Sequence, residues 1–452
     1  MSHCTPYALA GVLLSSACVS TTAPPLAARP SSIPAEAQEA RPNDSGVFEP
    51  TAGELPRVPT LHDCLRQAAL NDPGLRAAHH DWRAALERIA QARALPDPEL
   101  SYGYYFESVE TFTGSQRHRL RAAQKLPWLR KLVLSGDAAA KTAEATRARF
   151  EAAKLALFHR VTAAYGEYYY LGRAIAVTRV HLRLLQGWET LIRSRYRVAA
   201  SSYSDLITTE IELGKLDDRV RTLEDLVAPT LARLNETMNR PSDAPLDPPT
   251  ALPPVGAVHE DDRALARLVE QNPELKALDA TVAAEERRVT LAKQSYFPDV
   301  TLGVEWIDTA RRAGSTVPDA GNDPVIGMVS VNLPIWWQRY GAATREAKAR
   351  RLAASGRRVA RERSLTTALR FALYELRDAD RKIELYENGL IPKARQALDA
   401  NLTAYESGTA DYLDLLDAER LWLEFELARA RALADRLARS AEVRMLTGGD
   451  DR

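Results

Sequence analysis

The residues with the clearest chemical potential are tyrosines and aspartates that recur at one fixed spacing. At a constant offset of 209 residues, the matched pairs are Tyr196 with Tyr405, Tyr203 with Tyr412, and Asp205 with Asp414. Each set lies at a short break between two long helical stretches, so one turn is used twice. An aspartate at the start of a helix can cap it through a side-chain oxygen, which is one role open to Asp205 and Asp414.

Patterns that would support catalysis or metal binding are missing from the sequence. The eight histidines are scattered, and His79, His80 and His118 have no cysteine or carboxylate at ligand spacing. Neither a glycine-rich phosphate loop nor a Gly-x-Ser-x-Gly element occurs. Because 60 basic residues balance 60 acidic ones, no excess charge points to nucleic acid. We therefore expect no enzyme, no cofactor, no metal site and no nucleic-acid partner.

The two turns belong to a repeat that fills most of the chain. The segment from Leu95 to Asp97 parallels the segment from Phe297 to Asp299, both ending in Pro-Asp, at an offset of 202 residues. The offset between the copies grows only where loops can take insertions. One series of elements is therefore used twice, over residues 59–250 and 259–452.

The N-terminus indicates export. Residues 1–17 resemble a secretory signal peptide, with an apolar run that is too short to span a bilayer as a helix. The residues around Cys18 resemble a bacterial lipoprotein cleavage site, in which Cys18 would become the acylated first residue, although the expected aliphatic residue, Leu14, stands one place too early. The alternative is that Cys18 is an ordinary residue of a signal peptide that is cut elsewhere. Residues 18–58 are rich in proline and alanine and are predicted to be a tether.

The periodicity of apolar residues predicts two pairs of strands and two long helical stretches. Alternation predicts strands at 100–106, 120–126, 300–306 and 325–333, with loops at 109–116 and 308–324 between them. No proline occurs between Pro127 and Pro229, which favours one helix from Leu134 to Arg197, about 95 Å long. After Pro334, only Pro392 interrupts the second helical stretch.

An apolar seam with spacings of 3 and 4 follows each turn, as is typical of a coiled coil. Its members are Leu206, Thr209, Leu213, Leu216, Val220, Leu223 and Val227 in the first copy, and Leu423, Leu427, Ala430, Ala434 and Leu437 in the second. The predicted fold is mainly α with a small β part, a duplicated helix, β-hairpin and long helical hairpin. A plain long helical bundle fits the same periodicity.

The strands raise the question of what closes their sheet. Four strands cannot form a barrel, and an open edge cannot lie in lipid because its backbone groups would be unpaired. If the strands span a membrane, three chains would supply twelve of them, within the range of outer-membrane barrels. Trp336 and Trp337 follow the fourth strand, where an aromatic pair suits a membrane interface or contact with a neighbouring subunit.

From residue 59 onward the chain resembles the TolC-type outer-membrane efflux proteins. The motifs that carry the resemblance are Asn-Pro-x-Leu at 272–275, Phe-Pro-Asp at 297–299, Leu-Ile-Pro-Lys-Ala-Arg at 390–395, and Tyr405-x-x-Gly408-Thr409 followed by Asp414 and Asp417. The resemblance implies a homotrimer with a twelve-stranded barrel in the outer-membrane lipid and an α-helical coiled-coil tunnel across the periplasm. It also implies docking to an inner-membrane pump, of RND type, through a periplasmic adaptor, also called a membrane fusion protein.

In that family the inner helical pair closes the periplasmic end of the tunnel, and acidic rings near its tip face the pore. By position, the resemblance assigns the gate and pore residues to Asp414, Asp417, Tyr405, Asp205, Tyr196 and Tyr412. Threefold repetition would place three carboxylates at each level, which attracts cations. Ala410 and Asp411 stand where the family has a gate-locking arginine, and Arg195 or Arg197 is the candidate replacement.

The cargo stays open between several classes. The Pro-Trp-basic stretch from Lys125 to Lys131 resembles family members that are paired with heavy-metal cation pumps. Metal cations, drugs or other small molecules, and proteins secreted through a type I system are the three alternatives. The competing class for the whole chain is a coiled-coil scaffolding lipoprotein of the envelope. Two hairpins in equivalent places disfavour that class.

Overall fold

The computed structural model describes residues 55–199, 201–256, 261–312, 314, 316 and 318–449. The predicted signal peptide, Cys18 and most of the predicted tether lie outside the described residues. In chain order the elements are α1 (Leu61–Asn71), α2 (Pro73–Arg93), β1 (Glu99–Glu110), β2 (Gly114–Leu126), α3 (Leu129–Arg197), α4 (Tyr203–Asp225), α5 (Val227–Thr237), α6 (Asp261–Gln271), α7 (Pro273–Gln294), β3 (Val300–Arg311), β4 (Val325–Val331), α8 (Trp337–Glu384), α9 (Ile391–Glu406) and α10 (Tyr412–Thr447). The described part is mostly helical with one small antiparallel sheet, which confirms the predicted fold class at that level.

Each repeat opens with two short helices that meet at a proline. Asp72 separates α1 from α2, and its side chain accepts a hydrogen bond from Leu75 N at 2.6 Å. Asn272 separates α6 from α7 in the same way and accepts from Leu275 N at 3.1 Å. Proline is tolerated directly after such a cap, because the first N–H groups of a helix have no partner within it. Within the described ranges, every helix falls short of the combined length and hydropathy that a bilayer-spanning helix needs.

The four strands form one antiparallel sheet in the order β1-β2-β3-β4. The loop predicted at 109–116 is wrong, because β1 continues to Glu110 and β2 already begins at Gly114. β3 likewise extends to Arg311, whereas β4 ends at Val331, two residues before the predicted end. Strands extend beyond their alternating segments because the ladder is made by backbone groups, which need no alternation of side chains.

One face of the sheet is mostly apolar, and the other combines charged groups with Ile307, Ile326 and Met328. The exposed apolar side chains that share a face by register and alternation are Leu100, Tyr102, Leu120, Leu302, Val304, Trp306, Val325 and Val329. The opposite face carries polar and charged groups, among them Arg119, whose Nε lies 2.6 Å from Oε1 of the buried Glu305. A continuous exposed face of large apolar side chains marks an interaction surface rather than a surface for water.

The longest described helices are α3 and α8. α3 has 69 residues, which is about 100 Å at about 1.5 Å per residue, and begins at Leu129 rather than Leu134. α8 leads into α9 through a π-helical turn over Leu385–Leu390, so the interruption predicted at Pro392 is confirmed. Proline crowds the carbonyl four residues earlier, and the wider π turn relieves that crowding without ending the helical path.

Among the described residues, three apolar clusters hold the helices together. The first cluster lies nearest the two turns and joins α3, α4, α9 and α10. The second joins α1, α2, α3 and α5, and the third joins α6, α7, α8 and α10. The predicted seam is buried or partly buried in α4 from Leu206 to Leu223 and buried in α10 from Leu423 to Leu437. Its last predicted member in the first copy is wrong, because α4 ends at Asp225 and Val227 begins α5 and packs on the second cluster.

Asp299 holds the junction between the sheet and the helices. Lys131 Nζ donates to its Oδ1 at 2.7 Å, Trp128 N donates at 3.2 Å, and Lys125 Nζ lies 3.5 Å from Oδ2. The rings of Trp128 and Phe297 stack with centroids 5.6 Å apart. The Pro-Trp-basic stretch of the first repeat therefore joins the two repeats, and this structural role accounts for its residues without reference to cargo.

Candidate gate at the two helical turns

The first turn connects α3 to α4 and is closed by a capping box. Asp205 N donates to Ser202 Oγ at 3.1 Å, and Ser202 N donates to Asp205 Oδ2 at 3.1 Å. Two N–H groups that the helix itself cannot pair are satisfied in this way. The capping role considered for Asp205 is confirmed.

The second turn connects α9 to α10 and is closed by the backbone. Thr409 N donates to Ala404 O at 2.8 Å, and Gly408 has a φ of 75°. Asp411 occupies the N-cap position of α10 without a side-chain capping bond. Asp414 is exposed, and its carboxylate makes no hydrogen bond or ion pair within the described part of the chain. The capping role considered for Asp414 is therefore wrong, and this carboxylate is available to ions.

Tyr405 and Tyr412 are buried between the two turns, with ring centroids 5.8 Å apart. Ser201 Oγ donates to Asp205 Oδ2 at 2.9 Å, so the Tyr405 hydroxyl, 3.0 Å from the same Oγ, is the donor in that contact. The Tyr412 hydroxyl lies 2.7 Å from Thr209 Oγ1, and burial raises the pKa of Tyr412 to about 12. These contacts bring Tyr405, Tyr412 and Asp205 into one polar network.

The matched tyrosines of the first turn lie apart from that network. Tyr196 and Tyr203 are 43% and 61% exposed, and their ring centroids lie 5.8 Å from each other. The same residue types at matched positions therefore have opposite environments. The first turn and α4 contribute Ser201, Asp205 and Thr209 to the network, whereas the second turn contributes Tyr405 and Tyr412.

Arg195 joins the end of α3 to the second turn. Its guanidinium carbon lies 4.9 Å from the centroid of the Tyr405 ring, and its Nη1 donates to Glu406 O at 2.9 Å. A guanidinium over an aromatic face is attracted by the ring quadrupole. Arg197 is exposed and makes no hydrogen bond or ion pair among the residues that the structure describes. Of the two arginines considered as a replacement lock, the geometry favours Arg195.

A further link between the turns, which the sequence did not predict, is made by Glu212 of α4. Arg420 Nη2 donates to Glu212 Oε1 at 2.5 Å, and Lys215 Nζ donates to the same oxygen at 2.7 Å. Arg420 Nη1 also lies 3.1 Å from Asp417 Oδ1. The charge of Asp417 is therefore partly balanced by an arginine, in contrast to that of Asp414.

Asp414 and Asp417 line an open groove of about 280 Å³ between α9 and α10. The remaining lining residues are small or uncharged: Ala394, Ala397, Asn401, Ala418 and Leu421. The groove therefore presents negative potential on an otherwise neutral face. Across the described ranges, no group of three or more His, Cys, Asp or Glu side chains is placed to hold a metal ion.

Comparison with known proteins agrees with this arrangement of duplicated helical hairpins and a small two-faced sheet. The family model for the outer membrane efflux proteins matches residues 264–449, which run from α6 through the second turn and α10. The second repeat of the chain therefore matches the outer membrane efflux protein family.

Individual proteins are similar to this chain along most of their length. The cobalt-zinc-cadmium resistance protein CzcC of Cupriavidus metallidurans is 25% identical over 381 residues, covering 80% of this chain and 83% of CzcC. The pyoverdine export outer membrane protein OpmQ of Pseudomonas putida is 22% identical over 420 residues, covering 86% of each. The outer membrane protein VceC of Vibrio cholerae has a TM-score of 0.71 at 18% identity, covering 86% of this chain and 96% of VceC. The VceC comparison concerns the fold alone.

The polar residues that join the two turns break the symmetry of the repeat. At the matched positions the second copy has apolar residues: Ala410 matches Ser201, Ala418 matches Thr209, and Leu421 matches Glu212. A buried polar side chain requires a partner, so such a position predicts a contact outside its own hairpin. This difference between the two copies is the feature of the sequence that could have predicted the contacts between the turns.

The two turns differ at one matched position, which gives a stability prediction. Ala199 has a φ of 57°, whereas its match is Gly408, and glycine alone adopts positive φ without steric cost. We expect Ala199→Gly to stabilise the fold by about 0.5–1 kcal/mol and Gly408→Ala to destabilise it by about 1 kcal/mol. Nothing lies within 4 Å of a Cβ added at Gly408, so the cost of Gly408→Ala comes only from the positive φ of the backbone. Urea unfolding followed by circular dichroism measures both, and changes of the same sign would contradict the prediction.

The Glu212 link predicts a pH dependence. Burial by itself would raise the pKa of Glu212, but hydrogen bonds from Lys215 and Arg420 outweigh burial and hold that pKa below its ordinary value. The carboxylate therefore adds stability above the pKa of the unfolded chain, and this stability is lost as the pH falls through the lower folded pKa. We expect Glu212→Gln to cost about 1–2 kcal/mol at neutral pH and nothing once the wild-type carboxyl is protonated.

The matched control for this variant is Asp217→Asn on the same helix. Asp217 pairs with Arg221 one turn away, and its side chain is 48% exposed, so its loss should change stability by less than about 0.5 kcal/mol. Urea unfolding at neutral pH and near pH 3 measures both variants. A destabilisation by Glu212→Gln that persists unchanged in acid would reject the role of its charge.

Proposed function

We propose that this protein is the outer-membrane channel of a tripartite efflux system, a passive duct for substrates delivered by an inner-membrane pump and a periplasmic adaptor. The observation that carries the proposal is a sheet with one mostly apolar face, joined to helices about 100 Å long in a chain whose second repeat matches the efflux family. The apolar face suits lipid, and the helices are long enough to extend deep into the periplasm. The protein itself supplies no energy for transport.

The channel is a homotrimer in this proposal. Within the described residues β1 pairs with β2 alone and β4 pairs with β3 alone, which leaves two sheet edges. Unpaired backbone groups are not tolerated in lipid, so the edges must pair with those of other copies. Three chains of four strands give a barrel of twelve, and their long helices then form the tunnel wall.

The two turns form the periplasmic gate of the tunnel. Support comes from the network of the buried Tyr405 and Tyr412 with the half-buried Asp205, together with Arg195, which fastens one helical hairpin to the other. A closed tunnel requires the hairpins to stay together, and opening requires these contacts to break. Asp414 and Asp417 supply the acidic rings, and the unpaired Asp414 contributes the stronger field.

The experiment that tests the gate is conductance of the purified trimer in planar bilayers. We expect the double variant Asp414→Asn with Asp417→Asn to lose most of the preference for cations over anions, because the three carboxylates at each level set the local potential. Asp399→Asn is the matched control, since Asp399 is an exposed carboxylate on α9, more than a quarter turn from the groove residues. Unchanged selectivity in the double variant, or an equal loss in the control, would reject the acidic rings.

Two classes of cargo remain as alternatives: metal cations, and drugs or other small molecules. CzcC is a cobalt-zinc-cadmium resistance protein and OpmQ exports pyoverdine, and both are similar to this chain at comparable identity. The Pro-Trp-basic stretch resembles that of members paired with metal-cation pumps, and its lysines also have a structural role in binding Asp299. Growth of a deletion strain on cobalt, zinc, cadmium, nickel and copper salts beside dyes, detergents and antibiotics separates the two classes. Sensitivity confined to metal salts assigns a cation pump as partner, and sensitivity confined to organic compounds assigns a multidrug pump.

A further inference from the structure

One layer of side chains connects three helices near the second turn. His181 Nδ1 of α3 lies 2.6 Å from Glu419 Oε1 of α10, and the two side chains are 1% and 2% exposed. The Trp422 ring of α10 lies 4.4 Å from the His181 ring. The Arg395 guanidinium of α9 lies on the Trp422 ring, 5.3 Å from its centroid. These four residues are called the His181 layer below.

The polar pair of this layer interrupts an apolar seam. On α10, Glu419 lies between the buried Leu416 and Leu423, and on α3, His181 is followed one turn later by the buried Leu185. A seam of leucine and alanine holds two helices together but defines their relative shift and rotation only weakly. A buried polar pair defines both, because a shift would leave two polar groups buried without partners. The pair therefore seats α10 on α3 at one height.

The His181 layer occurs in only one of the two helical hairpins. At the offset of 209 residues, the matches are Leu390 for His181, Gln186 for Arg395 and Leu213 for Trp422. Glu210 matches Glu419, but it is exposed and lies 3.2 Å from Arg193. The layer therefore belongs to the hairpin that carries the buried Tyr405 and Tyr412, and it has no counterpart in the hairpin of the first turn.

The layer lies close to the second turn, whereas another anchor of α10 lies far from it. Asn272 Nδ2 donates to Leu446 O at 2.9 Å, which fixes the end of α10 that is about 40 Å from Glu419. Tyr412 precedes Glu419 by seven residues, about two turns of the same helix. The Tyr412 hydroxyl lies 2.7 Å from Thr209 Oγ1, and a displacement of α10 by about 1 Å would end that hydrogen bond.

We propose that the His181 layer positions the second helical hairpin on α3 and so sets the closed geometry of the gate. The proposal rests on the proposed gate. His181 and Glu419 are positioning residues, because they act on Tyr412 through the seating of α10, and Arg395 extends the same hold to α9. Without the layer, leucines and alanines still attach the hairpin to α3, but its tip moves and the gate is open more of the time.

The test compares the full-length trimer with three variants. The double variant His181→Leu with Glu419→Met replaces the pair by apolar groups of similar volume, a change that buried ion pairs often tolerate without loss of stability. Glu419→Gln is the conservative variant, because an amide can donate to or accept from an imidazole nitrogen. Glu210→Gln is the matched control in the first copy. The measurements are urea unfolding, hydrogen exchange of the backbone amides of residues 406–411, and open probability in planar bilayers.

We expect the double variant to be at least as stable as the wild type, and yet to exchange the amides of the second turn and to open roughly tenfold more readily. Glu419→Gln and Glu210→Gln should match the wild type in both measurements. Wild-type exchange and conductance in the double variant would overturn the proposal. So would a Glu419→Gln protein that behaves like the double variant, or faster exchange over the whole chain with a matching loss of stability.

Arg395→Gln tests the outer member of the layer and leaves the buried pair intact, so it decides even where the double variant does not assemble. The substitution removes a cation from the Trp422 ring, and we expect a roughly threefold rise in open probability at unchanged stability. Lys393→Gln is its control, since Lys393 is exposed on the same helix and makes no hydrogen bond or ion pair within the described residues. Equal effects of the two variants would overturn the role of Arg395.

Failure of the proposed function would look different from failure of the layer. Absence of any channel current in the wild type would count against the channel. Hydrogen exchange of the second turn would still decide whether the His181 layer positions the hairpin, because that measurement needs no current.

Discussion

Val329→Arg is expected to abolish assembly of the channel in the outer membrane. Val329 is 72% exposed on the apolar face of β4, where Leu302 of β3 lies opposite it. On a lipid-facing barrel wall an arginine near the midplane costs about 2–4 kcal/mol, and the trimer incurs this cost three times. Unheated gel electrophoresis and membrane fractionation measure the result, which is loss of a trimer-sized, heat-modifiable band from the outer membrane.

Ser330→Arg is the matched control for that substitution. Ser330 is the next residue of the same strand and is also exposed, but alternation directs it to the opposite face of the sheet. We expect this variant to assemble at the wild-type level, because in the proposed barrel the face with Arg119 and Lys125 lines the lumen, where another arginine is accepted. If both variants assembled equally well, or the protein fractionated as a soluble monomer, the barrel would be wrong and the scaffolding alternative would return.

Arg195→Ala is expected to open the tunnel. The substitution removes a cation over the Tyr405 ring and a charged hydrogen bond to Glu406 O, together about 2 kcal/mol for each chain. That energy corresponds to a roughly thirtyfold shift in the balance between closed and open turns for each subunit. Single-channel recording in planar bilayers measures it as higher open probability or a larger main conductance, and cells should become sensitive to large antibiotics.

Two further variants separate the lock from a general effect of lost charge. Arg197→Ala removes the neighbouring exposed arginine and should leave the conductance unchanged. Tyr405→Phe keeps the ring under Arg195 but removes the hydroxyl next to Ser201, so it should open the tunnel by a smaller factor. Equal effects of Arg195→Ala and Arg197→Ala would show that surface charge, not the contact with the second turn, controls conductance.

The pattern of the sequence predicted the types and order of the elements because these depend on local physics. The prolines and the apolar periodicity located α3 and the two turns, and Asp205 was recognised as a cap from its place before an apolar run. The same local reasoning was wrong for Asp414, whose turn closes through Ala404 O and needs no side-chain cap. It was also wrong for the loop at 109–116, where backbone pairing continued after the side-chain pattern had faded.

What the sequence by itself determined is therefore a duplicated chain of mainly long helices with two hairpins, and the positions of its two turns. The tertiary structure alone decided which tyrosines are buried, that Arg195 rather than Arg197 contacts the second turn, and that His181 meets Glu419. The physical reason lies in how helices pack. A seam of leucine and alanine fixes that two helices associate but leaves their relative shift almost degenerate, so partners 200 or more residues apart become known only when the hairpins are docked.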